Sequence, residues 1–285
     1  MRIRPMQTGD VGAAERITAR AFTWTSDGHW TERSPQARDR WSDRARHLLA
    51  LDPGGCWVLD DDRGDVAGVA LAARRDLLWI LSSFAVDPDQ QGRGAGRALL
   101  DAVIDYGDGC LRGMLCALPN PAALRRYRGA GFTVHPTMRL AGRVDRATLP
   151  VMEGVRVGTD ADLDLVDSVD RRVRGATRRG DHTLLARYGP LLVCDLLTGS
   201  GYAWLDGSSV GPLAATSRAI AQRLLWFALS LAPGDTDVAV RYLTAEQEWA
   251  VDVGLAAGLA VHQDGFLGLR HMRPPAPYVP SVPFG

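Results

Sequence analysis

Residues 84–100 read Phe84-Ala85-Val86-Asp87-Pro88-Asp89-Gln90-Gln91-Gly92-Arg93-Gly94-Ala95-Gly96-Arg97-Ala98-Leu99-Leu100. An apolar strand runs into an acidic Pro turn, then into a run rich in glycine, then into an amphipathic helix. Three phosphate-binding patterns compete for such a turn. A Walker loop needs Lys followed by Ser or Thr after its last glycine, and the chain contains no lysine at all. A dinucleotide fingerprint starting at Gly92-x-Gly94 needs a third glycine where Arg97 stands. The pattern Gln/Arg-x-x-Gly-x-Gly/Ala fits, on Gln91, Gly94 and Gly96. Glycines let the backbone approach a diphosphate, successive N–H groups point at it, and the helix dipole favours its charge. Arg93 and Arg97 can add charge-assisted hydrogen bonds.

Outward from this turn, the pattern alternates strands and helices. Arg2–Pro5 reads as a short strand, Val11–Phe22 as a helix, and Ser34-Pro35 opens a second helix that runs to about Leu51. Cys56–Leu59 and Val66–Ala73 suit a hairpin, and Leu77–Val86 a strongly apolar strand. After the helix Arg97–Tyr106 come a strand at Arg112–Leu118, a helix at Asn120–Ala130 and a strand at Phe132–Leu140. This spacing implies a partly parallel sheet with flanking helices.

Near Arg143–Pro150 the pattern pauses, and then the opening recurs. Arg156 and Asp162 keep the six-residue spacing of Arg4 and Asp10. Gly201–Leu205 and Val210–Ala215 read as strands, Ser217–Leu231 as a helix, Asp237–Leu243 as a strand, Glu246–Gly258 as a helix and Phe266–Arg270 as a closing strand. The second half reads as a diverged copy of the first. The tail Pro274–Gly285, with its five prolines, is expected to strap over the surface.

A second motif sits downstream of the glycine turn. It reads Asn120-Pro121-Ala122-Ala123-Leu124-Arg125-Arg126-Tyr127-Arg128-Gly129-Ala130-Gly131-Phe132. The two stretches resemble motifs A and B of the GNAT superfamily of N-acetyltransferases, over essentially all of residues 1–145. The resemblance implies an α/β fold of two tandem GNAT-like domains. Each would have a twisted, mostly antiparallel mixed sheet with a central parallel, splayed strand pair and flanking helices. It implies a catalytic domain at 1–145 and a degenerate one at 151–285. The second turn, Val210–Ala215, lacks the glutamine and the glycine spacing, and Pro212 removes an N–H donor, so that domain is expected not to bind the cofactor.

The resemblance further implies acetyl-CoA, or coenzyme A, on Phe84, Ala85, Val86, Gln91, Gly92, Arg93, Gly94, Ala95, Gly96, Arg97, Asn120 and Tyr127. The strands Leu77–Val86 and Arg112–Leu118 would diverge around the pantetheine arm, with Ser82-Ser83 inviting a bulge. The Val86 N–H would donate to the thioester oxygen, and Tyr127 would protonate the departing thiolate. Asn120 suits the N-cap, ahead of Pro121. Neither strand carries a carboxylate to serve as base, which leaves Asp27, His29, His182 or a water chain. On the acceptor side stand Trp24, Trp30 and Trp41, with Asp27 and His29. Arg174 and His182, in the densest charged run, are expected to recognise an anionic group on the acceptor.

The expected activity is acetyl transfer from acetyl-CoA to a primary amine of a small molecule. The alternatives are a non-catalytic acyl-CoA sensor or scaffold and, third, another acyl-CoA reaction such as malonyl-CoA decarboxylation. With 33 basic and 33 acidic side chains, the chain is not expected to bind nucleic acid. It has no membrane-length apolar run, no signal-peptide core and no paired cysteine spacing, so a cytoplasmic, metal-free protein is expected, as monomer or homodimer.

Overall fold

A computed structural model describes residues 1–25 and 29–285. It has two compact units, Met1–Leu111 and Arg112–Gly285.

In the first unit, β1 (Arg2–Pro5) leads to α1 (Val11–Thr23) and α2 (Pro35–Leu51). Then come β2 (Cys56–Asp60), β3 (Val66–Arg75), β4 (Leu78–Val86) and α3 (Ala95–Asp105). The four strands pair antiparallel in sequence order. Ser34 caps α2 through the Ala37 N–H, ahead of Pro35 at the first helical position. α1 packs on β3 and β4, and α3 on β2 and β3. α3 buries Leu99, Leu100 and Val103, and the Val103 carbonyl accepts from the buried Trp79 indole at 2.9 Å.

The second unit opens with β5 (Arg112–Ala117), α4 (Pro121–Gly129) and β6 (Thr133–Gly142). β7 (Val155–Val157), α5 (Leu163–Val173), the single turn α6 (His182–Leu185), β8 (Leu191–Leu196), β9 (Gly199–Asp206) and β10 (Ser209–Ala215) follow. α7 (Arg218–Ser230), β11 (Val238–Leu243), α8 (Glu248–Ala256), β12 (Ala260–Arg270) and a two-residue β13 (Tyr278–Val279) complete it. The order β1-α1-α2-β2-β3-β4-α3-β5-α4-β6 recurs as β7-α5-α6-β8-β9-β10-α7-β11-α8-β12, element for element. β8 was not legible in the sequence.

The repeat and the compact units divide the chain differently, because strands are exchanged. Within the second unit the strand order is β5-β12-β6-β11-β10-β9-β8-β7. β12, the last repeat strand, lies antiparallel between β5 and β6 of the first repeat. β6 in turn lies between β12 and β11. Each half therefore supplies the strand that its counterpart's edge needs. Leu140 of β6 is fully buried in a core with Leu243, Val253 and Leu224. Gly254 of α8 passes so close that a Cβ there would stand 2.5 Å from the Leu140 side chain.

β10 and β11 are parallel, but they pair only at Ser209 and Val210. Beyond that point β13 pairs antiparallel with β10, Leu213 against Val279 and Ala214 against Tyr278. This corrects the expected surface strap: Tyr278, Val279 and Phe284 are buried. The tail is packed because the gap beside β10 gives it backbone partners, and Gln247 fixes it through the Pro275 carbonyl and the Tyr278 N–H.

Candidate functional site

The glycine turn lies at the C-terminal end of β4. Ser83 pairs with Leu71 and Leu81 with Ala72, so Ser82 is the extra residue of a bulge, at the Ser82-Ser83 pair. Phe84, Ala85 and Val86 then register against Ala70, Val69 and Gly68. Asp87 caps the following turn through the Asp89 N–H at 2.9 Å. Arg20 of α1 clamps it, at 2.7 Å from both Asp87 carboxylate oxygens and 2.8 Å from Asp89. That clamp was missed in the sequence; the acidic pair flanking Pro88 was its only signal. Gln91 serves the loop itself, since its Nε2 donates to the Val86 carbonyl at 3.0 Å.

Gly92 and Gly94 have φ of +81° and +82°, the left-handed region that favours glycine. A Cβ at either position would meet nothing within 4 Å, so the hollow above the turn is open. Gly94 is the N-cap of α3, and it offers no side-chain acceptor. The Arg97 N–H returns to the Gly94 carbonyl. Among the described residues, nothing accepts from the N–H groups of Gly92 through Gly96. Open space, orphan donors and a helix N-terminus suit a diphosphate. Arg93 and Arg97 are exposed beside it, Arg93 touching Gln90 at 3.2 Å and Arg97 lying 3.8 Å from Asp101.

In the second unit, Asn120 Oδ1 accepts from the Ala122 and Ala123 N–H groups at 2.9 and 3.0 Å, capping α4. Tyr127 is 6% exposed, and burial pushes its phenol well above the ordinary value. The Phe132 N–H bonds the Tyr127 carbonyl across Gly131, whose φ is +85°. Tyr127 is thus held by a cap before it and a tight turn after it.

The acceptor-side candidates scatter. Asp27 lies outside the described residues. Trp24 and Trp30 are exposed, with Arg20 stacked 4.7 Å over the Trp24 ring, whereas Trp41 is buried. The His29 carbonyl accepts from both the N–H and the hydroxyl of Thr25. Arg174 is 1% exposed, and its guanidinium donates to the carbonyls of Ala176, Thr177 and Phe284. With Arg178 it flanks the buried Asp170. His182 is 4% exposed, 2.9 Å from Asp167 and stacked on Trp204. Both side chains are engaged inside the second repeat. Their charge-dense sequence marks a buried network around the tail.

In that repeat β10 reaches α7 across only Thr216 and Ser217, without a glycine loop. Ser217 caps α7 through the Ile220 N–H, and β13 fills the edge of β10. The place that the glycine turn opens in one repeat is closed by the chain itself in the other.

A mixed, mostly antiparallel sheet with flanking helices and a bulged strand leading into a glycine-rich helix N-terminus defines an acyltransferase-like class of fold. Residues 18–132 match the Acetyltransferase (GNAT) family. It is 33% identical over 144 residues to a mycothiol acetyltransferase of Saccharopolyspora erythraea, covering 46% of this chain and 43% of that one. A mycothiol acetyltransferase of Geodermatophilus obscurus is 32% identical over 47% of this chain and 45% of its own. The match thus spans less than half the length of these relatives. Among solved structures, a Pyrococcus horikoshii protein classed as an acetyltransferase superposes with a TM-score of 0.77 at 15% identity, over 100% of this chain and 95% of its own. A GCN5-related N-acetyltransferase from Sphaerobacter thermophilus gives 0.62 at 17%, over 99% and 98%. The fold is therefore shared with these two structures.

Proposed function

We propose that the chain is an acetyl-CoA-dependent N-acetyltransferase acting on a primary amine of a small molecule. The observation that carries this reading is the row of N–H groups from Gly92 to Gly96 that, among the described residues, nothing accepts from, under the open space at Gly92 and Gly94. The diphosphate of coenzyme A would sit on those donors, flanked by Arg93 and Arg97. The last residues of β4, Phe84 to Val86, would take the pantetheine arm by backbone pairing, and the Val86 N–H would donate to the thioester oxygen as charge develops there. Both curated relatives are named for acetyl transfer, which supports acetyl as the group carried.

In the reaction the amine nitrogen bonds the thioester carbon, the carbon–sulfur bond breaks, and the sulfur leaves with the bonding pair. Tyr127 gives that sulfur its proton, and the proton that the amine nitrogen loses on forming the amide returns through a water chain to restore the phenol. A phenol raised by burial stays protonated across neutral pH, so it is present as donor in every turnover. The same dry surroundings raise the proton affinity of a departing thiolate, which offsets the weaker acid. The second repeat, closed by β13, contributes no cofactor site in this reading. No helix among the described residues is long and apolar enough to cross a membrane.

The test is thiol release from acetyl-CoA across a panel of amines, with calorimetric titration of CoA. Tyr127→Phe should cut kcat by roughly 100-fold, in the range for losing a general acid, and leave CoA affinity within about twofold. A chain that takes up CoA but turns over no amine would be an acyl-CoA sensor. No CoA uptake at all would end the proposal.

A further inference from the structure

The catalytic reading leaves open how the acceptor is held. Two bulges flank β6. On β11, Val240 pairs with Leu140 and Leu243 with Met138, so Arg241 and Tyr242 bulge past one position. On β12, Gln263 pairs with Met138 and Phe266 with Pro136, so Asp264 and Gly265 do the same. Bulges re-aim side chains and gather next to functional sites. Tyr242 also has φ of 57°, a conformation a bulky residue keeps only where its surroundings hold it.

The two bulges are tied together. Asp264 accepts from Arg241 Nε at 3.2 Å, from Arg241 Nη2 at 2.6 Å and from the Tyr242 N–H at 3.1 Å. The Gly265 N–H donates to Thr137 Oγ1 at 3.1 Å. In a regular strand, neighbouring side chains point to opposite faces. The left-handed turn at Tyr242 breaks that rule and lays the Arg241 guanidinium 4.9 Å over the Tyr242 ring. That ring packs at Gly265, where a Cβ would stand 3.4 Å from it and run into the carbonyl of Ala117. Ala117 ends β5, just before the Asn120-capped helix of Tyr127. Burial is the main cause that raises the Tyr242 phenol, and the nearby Tyr127 phenol adds to it.

Asp264 is 4% exposed as a side chain and Arg241 36%. The carboxylate takes the side-on edge of the guanidinium, Nε and Nη2. Among the described residues, Nη1 has no hydrogen-bond partner. The end-on edge, Nη1 with the outer Nη2 proton, therefore presents two parallel donors of the kind that grip an oxyanion. A purely structural ion pair would not require a strained tyrosine to turn the cation toward the end of β5.

We propose that Arg241, supplied by the second repeat and aimed by Asp264 and Tyr242, is a specificity-determining residue that binds an oxyanion on the amine acceptor. This rests on the acetyltransferase reading and names its substrate class: amines bearing a carboxylate or a phosphate.

The experiment is steady-state thiol release by the full chain on matched amines: alanine against alaninamide, and phosphoethanolamine against ethanolamine. The charged member of at least one pair should show a KM at least tenfold lower, and which pair responds separates carboxylate from phosphate. Arg241→Gln should erase that advantage while kcat, the KM of the neutral amine and the KM of acetyl-CoA stay within about twofold. Arg241→Lys should restore part of it, and Asp264→Asn should lose part by freeing the fork. Equal use of charged and neutral amines by the unaltered chain overturns the inference and leaves the acetyltransferase reading standing. So does a Gln variant that keeps the advantage, or a Lys variant that is folded by CoA calorimetry and restores nothing. Failure of the unaltered chain to take up CoA overturns both.

Discussion

Gly94 concentrates the argument at the level of single residues. Its φ of +82° would strain any L side chain, at roughly 1–2 kcal/mol, yet a Cβ there meets no protein atom. Structure and ligand should therefore respond differently to one substitution. Gly94→Val is expected to lower the melting temperature by a few degrees, the strain alone. It should also raise the Kd for CoA more than tenfold, because the new methyls stand where phosphate oxygens would. A thermal melt and a CoA titration on the same sample check both, and an unchanged Kd would remove the cradle from the site. Arg174 teaches the converse lesson. An arginine in a run of arginines and aspartates is ordinarily solvated, but here three carbonyls and Asp170 absorb it.

Two elements show how the repeat is built. In each half a short strand leads into a single helical turn, and an arginine on the strand grips an aspartate on the turn with both nitrogens of its fork: Arg4 with Asp10, Arg156 with Asp162. Those hydrogen bonds hold both carboxyls below their ordinary range, helped by the N–H groups of Gln7 and Thr159. Both aspartates stay ionised in the folded chain at pH values where the unfolded chain binds protons. The stabilisation is thus complete above the unfolded value of about 4 and is lost as pH falls below it. Urea midpoints of the Asp10→Asn, Asp162→Asn double variant should approach those of the parent progressively as pH falls below about 4. A gap that is as wide at about pH 2 as at about pH 6 would contradict this.

The other telling element is β13. Arg174 and Arg178 both donate to the Phe284 carbonyl, and Arg178 also donates to the Tyr278 hydroxyl at 2.6 Å. Deleting residues 274–285 would leave two buried guanidiniums short of acceptors, a loss of about 3–5 kcal/mol by analogy with broken buried pairs. Tyr278→Phe, which removes one charged hydrogen bond, should cost about 1.5–3 kcal/mol in urea unfolding. A tail that could be deleted without loss would be a strap after all.

At the scale of the whole molecule, the exchange of β6 and β12 makes the halves interdependent. Residues 1–145 expressed alone would lack the strand that separates β5 from β6, and residues 151–285 alone would lack the one beside β11. Each half should aggregate or self-associate through these open edges, and co-expression should recover a one-to-one complex in size-exclusion chromatography. Two monomeric, folded halves would refute the interdependence.

Local chemistry made much of this legible in the sequence. The glycine turn, the Asn120-Pro121 cap, the Ser82-Ser83 bulge and the Arg4–Asp10 spacing with its echo all depend on neighbours within a few residues, and such signals survive in a linear string. β8 stayed hidden, as did the first half of β12, and the tail was expected outside. Their pairing partners lie far away in the chain, and the tail's prolines mask a strand whose partners exist only once β10 and β11 diverge. The site divides along the same line. The sequence by itself determined the glycine turn at Gly92–Gly96, because a left-handed turn at a helix start is a property of consecutive residues. Only the tertiary structure decided which charged groups stay at the surface. Burial of Arg174 and His182, and the aim of Arg241 from a bulge on β11 to one on β12, follow from strand exchange across the whole chain, which no local pattern records.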